Sequence, residues 1–371
     1  MEPQLPMEPV VDTESDRRTK VVYGETFARY DRRLFLEFLR PLERRLEVNG
    51  ISTAVFRGQR CLDAGCGGGR GTVLMARAGA DKVIAFDLSE QNIETTTRNA
   101  ALFDLDNVET VCGSLLDLPY PDETFDVVWC NGVVHHTVKP DRAMQEITRV
   151  LRVGGRLWLY LYGSGGIYWF MVDALREWLA DIDMHECMST LARLGTPTDR
   201  IAEFMDDWYV PHLKRYVNED VVARLRELGF TATPRPLEGG MTYDTSVRRA
   251  DVQQRGWMGE GDLRYWVAKS SVAVGRNEHP LPDVDGTGSA YTDVPEVHAF
   301  RAHFEALTRA SAQFARRHPK QNHMRRISIA AQLQTWLRDS FSGPEPFSGH
   351  AFAEQIAHHV AAFETRVLER D

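Results

Sequence analysis

Short apolar runs alternate with stretches of helical periodicity through the first part of the chain. The runs have the length of buried strands and lie at about residues 60–64, 82–87, 107–112, 125–130 and 156–162. Helix boundary signals lie between them: Pro140 suits a first helical turn, and Gly154 can close that helix. This alternation predicts an α/β fold, a doubly wound parallel sheet with helices on both faces.

The same alternation resumes later in the chain, after an interruption at about 164–214. Asn218 can begin a helix that Gly229 ends, and strands are expected at about 230–237 and 264–270. The interruption is rich in large aromatic residues and helical in period. We expect a helical insertion that forms either a cap over a bound acceptor or additional core.

Composition changes at both ends of the chain set the expected domain boundaries. We expect a disordered tail at 1–18, a main domain at 19–272, a linker at 273–295 rich in Gly, Pro and Asp, and a helical region at 296–371. Amphipathic helices are expected from Thr19 up to the first strand.

Charge and composition exclude several classes of protein. The chain has 371 residues, with 44 basic and 53 acidic side chains and a net charge of −9, which disfavours a nucleic-acid binder. Its longest strongly apolar run, Ile167–Val172, is far shorter than the roughly 18 residues of a membrane span, and the N-terminus lacks the apolar core of a signal peptide. The five cysteines form no CxxC pair. We expect a soluble cytoplasmic protein with reduced thiols and no membrane partner.

A glycine-rich loop follows the first predicted strand. It reads Asp63-x-Gly65-x-Gly67-x-Gly69, and Arg70 stands where the last glycine of a Gly-x-Gly-x-x-Gly dinucleotide loop would fall. An acid two residues before the first glycine would repel a pyrophosphate, whereas it suits a cationic amine and sulfonium. The second predicted strand ends in Asp87, where a carboxylate can accept hydrogen bonds from both ribose hydroxyls.

These residues resemble the class I methyltransferases that use S-adenosylmethionine, over about residues 55–162 and through the later helix and strands to 272. The blocks Asp117–Asp126 and Asn131–His136 are similar to the ubiquinone-type and small-molecule subgroup. The resemblance implies a seven-stranded, mostly parallel, Rossmann-like sheet with an antiparallel final strand. It implies S-adenosylmethionine as cofactor and S-adenosylhomocysteine as product.

The resemblance also implies individual roles. Asp63 matches the acid that supports the loop and the methionine amine, Asp87 matches the ribose acid, and Leu88 lies beside the adenine. Ser114 stands where the family often has an acid that binds the adenine amine. The expected cofactor-binding set is Asp63, Gly65, Cys66, Gly67, Gly69, Asp87, Leu88, Ser114, Leu115, Asn131, Tyr23 and Tyr30, the two tyrosines as part of an N-terminal lid.

Two adjacent histidines are the candidate catalytic residues. His135 and His136 follow the fourth predicted strand, at the sheet edge where ligands of open α/β sheets bind. One of them could take a proton from the acceptor or orient it, or both could hold the loop. The preceding segment Cys130–Val133 is not the Asn-Pro-Pro-Tyr tetrad of methyltransferases that act on base amines or glutamine amides, so such acceptors are disfavoured.

The leading hypothesis is methyl transfer to an oxygen, nitrogen, carbon or sulfur atom of a small molecule. The alternative is a non-catalytic, cofactor-binding scaffold of the same fold; an NAD-dependent oxidoreductase is disfavoured by the glycine spacing. Eight of the twelve histidines lie from His279 onward, but the pairs spaced by five do not share a helical face, and no metal site is expected. The C-terminal helices make a homodimer a plausible arrangement.

Overall fold

The computed structural model describes residues 14–27, 32–231, 237, 259–271, 279–282, 295–342, 354, 357–359 and 361. Tyr30, most of the expected linker and most of the last expected helix lie outside the described residues. The chain divides into two compact units. The first comprises Met1–Leu161, Pro211–Leu237 and Arg264–Asp285, and the second comprises Tyr162–Val210, Glu238–Leu263 and Gly286–Asp371.

The seven predicted strands form one sheet. They are β1 (Arg60–Ala64), β2 (Lys82–Asp87), β3 (Val108–Cys112), β4 (Phe125–Asn131), β5 (Leu151–Tyr162), β6 (Phe230–Thr231) and β7 (Asp262–Lys269). Their order is β3-β2-β1-β4-β5-β7-β6. The pairs among β1 to β5 are parallel, and β6 with β7 is antiparallel. The predicted seven-stranded, mostly parallel fold is confirmed.

Eleven α-helices are described within these ranges. They are α1 (Glu14–Phe27), α2 (Arg32–Val48), α3 (Arg70–Arg77), α4 (Glu90–Ala101), α5 (Pro140–Val150), α6 (Gly166–Leu179), α7 (Met184–Arg193), α8 (Thr198–Tyr209), α9 (Asn218–Glu227), α10 (Pro295–Arg317) and α11 (Pro319–Ser342). None of the helices in the described ranges is long and apolar enough to cross a membrane.

Two boundaries differ from those expected. Helix α1 begins at Glu14, inside the expected tail at 1–18; Glu14 and Asp16 lie in its first turn, where negative charge is favourable. Gly154 does not close α5. That helix ends at Val150, and the next residue already pairs with β4, so Gly154 lies within β5 at a φ of +82°. The pairing of β5 with β4 joins residues that are separated in sequence, and it ends the helix before Gly154.

The core of the first unit is a sheet of nearly continuous apolar strands. Cys61 and Leu62 of β1 are fully buried, as expected for a parallel strand covered on both faces. Trp129 of β4 stacks on Trp158 of β5 with ring centroids 4.5 Å apart and planes 7° apart. Trp129 pairs with Asp63 of β1, so this stack lies near the carboxyl ends of β1 and β4.

The described part of the second unit is mainly helical, and several of its aromatic residues are buried. Phe204 and Trp208 of α8 stack with centroids 4.7 Å apart, and both are buried. The indole Nε1 of Trp208 donates to Oε1 of Gln334 on α11 at 2.6 Å, and the Gln334 amide donates to buried Asp207. Tyr168 of α6 donates to the same carboxylate at 2.7 Å. The insertion is therefore helical as predicted, and its aromatic residues contribute core.

Candidate functional site

A cleft of the first unit opens at the carboxyl edge of the sheet, above β1, β2 and β4. Most of the sequence-predicted cofactor residues line it: Tyr23, Asp63, Gly65, Cys66, Gly67, Asp87, Leu88, Ser114, Leu115 and Asn131, together with His136. The topology explains the convergence, because the ends of parallel strands bring their following loops to one edge.

The glycine loop is tied to the neighbouring strand through its backbone. The amides of Gly65 and Cys66 both donate to the carbonyl of Phe86, at 2.8 and 3.0 Å. Gly65, Gly67 and Gly69 all have positive φ, a conformation that favours glycine. A Cβ at Gly65 would lie 2.5 Å from the Val133 side chain, so glycine is also required there by space.

Gly69 differs from the other loop glycines. It is the residue that caps the N-terminus of α3, and it does not appear among the residues that line the cleft. Its missing side chain serves packing instead, because a Cβ there would lie 2.9 Å from Cγ2 of Thr96. The third glycine therefore affects the loop through its packing against Thr96 and does not line the cleft.

Asp87 joins the end of β2 to the loop and to α4. Its Oδ2 accepts a hydrogen bond from the Gly67 amide at 2.8 Å, and its Oδ1 accepts from the Ser89 amide at 2.9 Å and from Nδ2 of Asn92 at 3.0 Å. Burial raises the pKa of this carboxyl above its ordinary value. A carboxylate has about four acceptor positions, and three are filled from within the protein.

Asp63 is the second buried carboxyl of the cleft. It is 2% exposed, and its Oδ2 accepts from the Thr72 hydroxyl at 2.6 Å. Burial raises the pKa of Asp63 to about 7, and the charge of Asp87 acts in the same direction. Two desolvated carboxyls in one cleft are stabilised as anions by a cationic ligand and destabilised by a diphosphate.

Ser114 occupies the place where the resemblance implied an acid. Its Oγ accepts a hydrogen bond from the amide of Leu116 at 3.2 Å, which closes a local turn. Leu115 and Leu116 continue the same wall of the cleft. The two leucines make this end of the cleft largely apolar, and Ser114 keeps a hydroxyl that can donate.

Asn131 is oriented by the tryptophan pair. Its Oδ1 accepts from Nε1 of Trp158 at 2.9 Å, so its amide nitrogen is the group left to face other partners. The sequence predicted Asn131 but not the residue that orients it.

The two histidines are not equivalent. His135 is fully buried and does not appear among the cleft-lining residues; its ring lies 4.1 Å from that of His136 and 6.1 Å from that of Tyr160. Burial lowers the pKa of His135 well below its ordinary value. The expectation that one of the pair faces the cleft therefore applies to His136, and His135, in the same turn at Val134–His136, lies outside the cleft lining.

His136 lines the cleft, but its nitrogens are directed elsewhere. Its Nδ1 lies 2.8 Å from the carbonyl of His212, and since a carbonyl only accepts, Nδ1 donates. Its Nε2 is buried from solvent. Tyr23 lies edge-on against the ring, with centroids 5.6 Å apart. The geometry favours the loop-holding hypothesis over a proton-transfer role.

Helix α1 contributes more to the cleft than the sequence indicated. Asp16, Thr19, Lys20 and Tyr23 line it at the spacing of one helical face. Ser15 Oγ lies 2.5 Å from Nε2 of His212, which ties the start of this helix to the first unit. Of the predicted lid, Tyr23 is placed at the cleft, and Tyr30 lies outside the described residues.

Sequence reasoning missed the remaining wall of the cleft. These residues are Asp16, Thr19, Lys20, Leu42, Gly68, Arg70, Gly71, Ser89, Asn92, Leu116, Trp129, Gly132, Val133, Thr137 and Val138. Several, such as Gly68, Gly71 and Gly132, adjoin predicted positions and could have been found from the loops themselves. In the part of the chain that the structure describes, no cluster of three or more His, Cys, Asp or Glu could hold a metal ion.

Comparison with known proteins identifies the domain. Residues 62–159 match the family described as a methyltransferase domain. This segment contains the last three residues of β1, all of β2 to β4, most of β5, and both buried carboxyls. It is a class I S-adenosylmethionine-dependent methyltransferase domain.

Curated relatives match over a part of the chain. The 27-O-demethylrifamycin SV methyltransferase of Amycolatopsis mediterranei is 41% identical over 103 residues, which are 27% of this chain and 37% of that protein. A ubiquinone biosynthesis O-methyltransferase of Neisseria meningitidis is 36% identical over 28% of this chain and 43% of its own length. The malonyl-[acyl-carrier protein] O-methyltransferase of Herminiimonas arsenicoxydans is 27% identical over 52% of this chain and 71% of that protein.

The chain spans about two fifths of the length of the first curated relatives that it matches. The family match at residues 62–159 lies within the first unit.

Proposed function

We propose that this chain transfers the methyl group of S-adenosylmethionine to an oxygen, nitrogen, carbon or sulfur atom of a small-molecule acceptor. The observation that carries the proposal is the meeting of the glycine loop, Asp63 and Asp87 in one cleft of the first unit. The names of the relatives support it, since they describe a 27-O-demethylrifamycin SV methyltransferase and a ubiquinone biosynthesis O-methyltransferase.

The residues of the cleft fit the cofactor. Three carboxyls, Asp16, Asp63 and Asp87, line the cleft against two basic side chains, Lys20 and Arg70, so its charge suits a ligand with cationic groups. The positive-φ glycines let the backbone approach a ligand without an intervening Cβ. An NAD-type diphosphate would instead meet two buried acids.

When bound, S-adenosylmethionine supplies a methyl group on a sulfonium, which is already a good leaving group. The protein's task is therefore to hold and orient the cofactor and the acceptor and to exclude water. Asp63 stabilises the amine end, Asp87 binds the ribose, and Leu115 forms part of the adenine wall. Tyr23 on α1 covers the cleft beside His136.

Cofactor binding and turnover test the proposal separately. Isothermal titration with S-adenosylhomocysteine should show one binding site. Incubation with methyl-labelled S-adenosylmethionine and a panel of small hydroxyl, amine, thiol and activated-carbon acceptors should then label one class of acceptor. Binding without labelling of any acceptor would favour the non-catalytic scaffold, and failure to bind would contradict both.

A homodimer through the C-terminal helices stays a prediction. Sedimentation equilibrium over a hundredfold range of protein concentration measures it. A monomer mass throughout would contradict it.

A further inference from the structure

Helix α4 carries a row of buried polar residues on the face that meets the glycine loop. Asn92, Thr96 and Asn99 follow one another at the spacing of one helical face, and each is at most 2% exposed. A helix face buried against a sheet is ordinarily apolar. Buried polar groups are stable there only when they have hydrogen-bond partners, and for this row the partners are Asp87 and the glycine loop.

Each member of the row bonds to a different part of the cleft. Asn92 donates to Asp87 Oδ1 at 3.0 Å. Thr96 Oγ1 donates to the carbonyl of Gly67 at 2.8 Å, and Asn99 Nδ2 donates to the carbonyl of Gly68 at 2.8 Å. The helix therefore fixes both the ribose acid and the two glycines that follow the first bend of the loop.

Asn92 also presents an acceptor that the described residues leave unused. Its Nδ2 must face Asp87, because an amide oxygen there would oppose a carboxylate. Its Oδ1 is buried and has no hydrogen-bond partner within the described part of the chain. Asn92 lines the cleft. A buried acceptor without a donor is costly unless a ligand supplies the donor.

The acceptor count at Asp87 shows why a second acceptor is needed. Its Oδ1 already accepts from Ser89 and Asn92, and its Oδ2 accepts from Gly67. The Leu88 amide also interacts with this carboxylate, so at most about one position remains on it, whereas a ribose brings two hydroxyl donors. Asn92 lines the cleft beside Asp87, and its unused Oδ1 supplies a further acceptor there.

We infer that Asn92 is a cofactor-binding residue whose Oδ1 accepts a hydrogen bond from one ribose hydroxyl, and that Thr96 and Asn99 are positioning residues for the glycine loop. The inference rests on the proposed function and adds to it. It assigns ribose recognition to a pair, Asp87 and Asn92, where the sequence indicated a single acid.

Deoxy analogues of S-adenosylhomocysteine isolate the direct contact. Isothermal titration compares the parent ligand with its 2′-deoxy and 3′-deoxy forms, on the wild-type protein and on Asn92→Ala. The variant should bind the parent about tenfold more weakly, and it should lose less than twofold for the analogue that lacks the hydroxyl accepted by Asn92. Equal losses for all three ligands, or no loss for the parent, would overturn the contact.

Two further comparisons distinguish failure of the inference from misfolding of the variant and from failure of the proposed function. If Asn92→Ala does not fold, the wild-type titrations and Asn92→Ser stand in for it, and wild-type binding that is equally tight for all three ligands overturns the inference. If the wild-type protein does not bind S-adenosylhomocysteine at all, the proposed function itself fails. If it binds and the analogue pattern is absent, only the inference fails.

A pair of adjacent threonines tests the positioning role. Thr96→Val removes the hydroxyl that bonds to Gly67, and Thr97→Val makes the same change at an exposed position one residue along, where the hydroxyl bonds to the Ile93 carbonyl. Thr96→Val should weaken S-adenosylhomocysteine binding about fivefold, Thr96→Ser should restore it, and Thr97→Val should leave it unchanged. Equal affinity of Thr96→Val and Thr97→Val, or no rescue by serine, overturns the role.

Discussion

The backbone amide of Gly67 donates to Oδ2 of Asp87 at 2.8 Å, so the cofactor loop and the ribose acid are one hydrogen-bonded unit. Twenty residues separate the two in sequence. Their contact follows from the parallel pairing of β1 with β2, which brings the loop after the first strand beside the end of the second. A change at Asp87 should therefore affect both the ligand contact and the loop.

Asp87→Asn should weaken S-adenosylhomocysteine binding by about 10- to 100-fold. An amide in this position has one acceptor oxygen, so it cannot serve the amides of Gly67 and Ser89 together, and the hydrogen bonds lost are to a charged group. Isothermal titration measures the change. The control is Asp81→Asn, the same substitution at an exposed position. Equal affinity of both variants would contradict the assignment of Asp87.

The pH dependence of binding should report on Asp63. Because burial raises the pKa of Asp63 from 3.8 to about 7, the free protein holds a proton there in mildly acidic solution. A cationic amine beside the carboxyl favours the ionised form, so binding releases that proton. Affinity for S-adenosylhomocysteine should rise about tenfold between pH 6 and 8.

Asp63→Asn supplies the control for this pH effect. It removes the titrating group and keeps an oxygen that can accept from Thr72, and it should flatten the profile apart from the titration of the ligand's own α-amino group. In the free protein, the effect of pH on stability is opposite to its effect on ligand affinity. Because folding favours the protonated form of Asp63, its contribution to the free energy of unfolding should fall as pH rises from about 4 to about 7, and a pH-independent difference between the two proteins would refute this.

The segment after β4 depends on a buried lysine. Lys214 is 2% exposed, and its Nζ donates to the carbonyls of Thr137 and Val138 at 3.0 and 3.1 Å. Lys214→Met keeps the length of the side chain and leaves those carbonyls without the donor. We expect the free energy of unfolding to fall by about 1–3 kcal/mol.

Chemical denaturation measures this loss. Lys139→Met is the matched control, because Lys139 is exposed in the same segment, and its substitution should change stability by less than about 0.5 kcal/mol. Indistinguishable unfolding curves for the two variants would show that the Lys214 contacts do not stabilise the fold.

Much of the fold and somewhat less than half of the cleft lining could be predicted from local patterns. The glycine spacing and the acid that ends β2 are fixed by the close approach of backbone and ligand, and both leave a signature in a few adjacent residues. Asn92 left none, because a polar residue in a short helix normally indicates a solvated face. Its burial arises from the packing of α4 against the loop, which no local pattern encodes.

The dependence on tertiary packing also explains the other differences between the sequence-based predictions and the structure. Asp16 and Lys20 resemble ordinary surface charges until α1 is seen to lie on the cleft. His135 and His136 occupy different positions because of the conformation of the short turn at Val134–His136, which no local pattern encodes. The sequence predicted that Gly154 ends the helix, but strand pairing at Leu151 ends that helix earlier.

The buried hydrogen bonds of Gln334 in the second unit can be tested independently of the cleft. Gln334 of α11 accepts from Trp208 and donates to Asp207, whose pKa burial raises to about 7. Gln334→Leu removes a donor that favours the ionised carboxylate. The loss of stability should be about 2 kcal/mol and should be larger at pH 8 than at pH 6.

Gln332→Leu provides the comparison on the same helix. Gln332 is exposed and bonds to Ser328 within α11, so its replacement should cost less than about 0.5 kcal/mol at either pH. Thermal unfolding of both variants decides the matter. A loss for Gln334→Leu that is the same at the two pH values would mean that Asp207 does not titrate in this range.

The most direct test of the account is a competition titration on the wild-type protein with S-adenosylhomocysteine and NAD. The acidic cleft should bind S-adenosylhomocysteine at a single site, and a large excess of NAD should leave that affinity unchanged. Tight binding of NAD, or its displacement of S-adenosylhomocysteine, would show that the cleft holds a diphosphate and would contradict the assignment of Asp63 and Asp87.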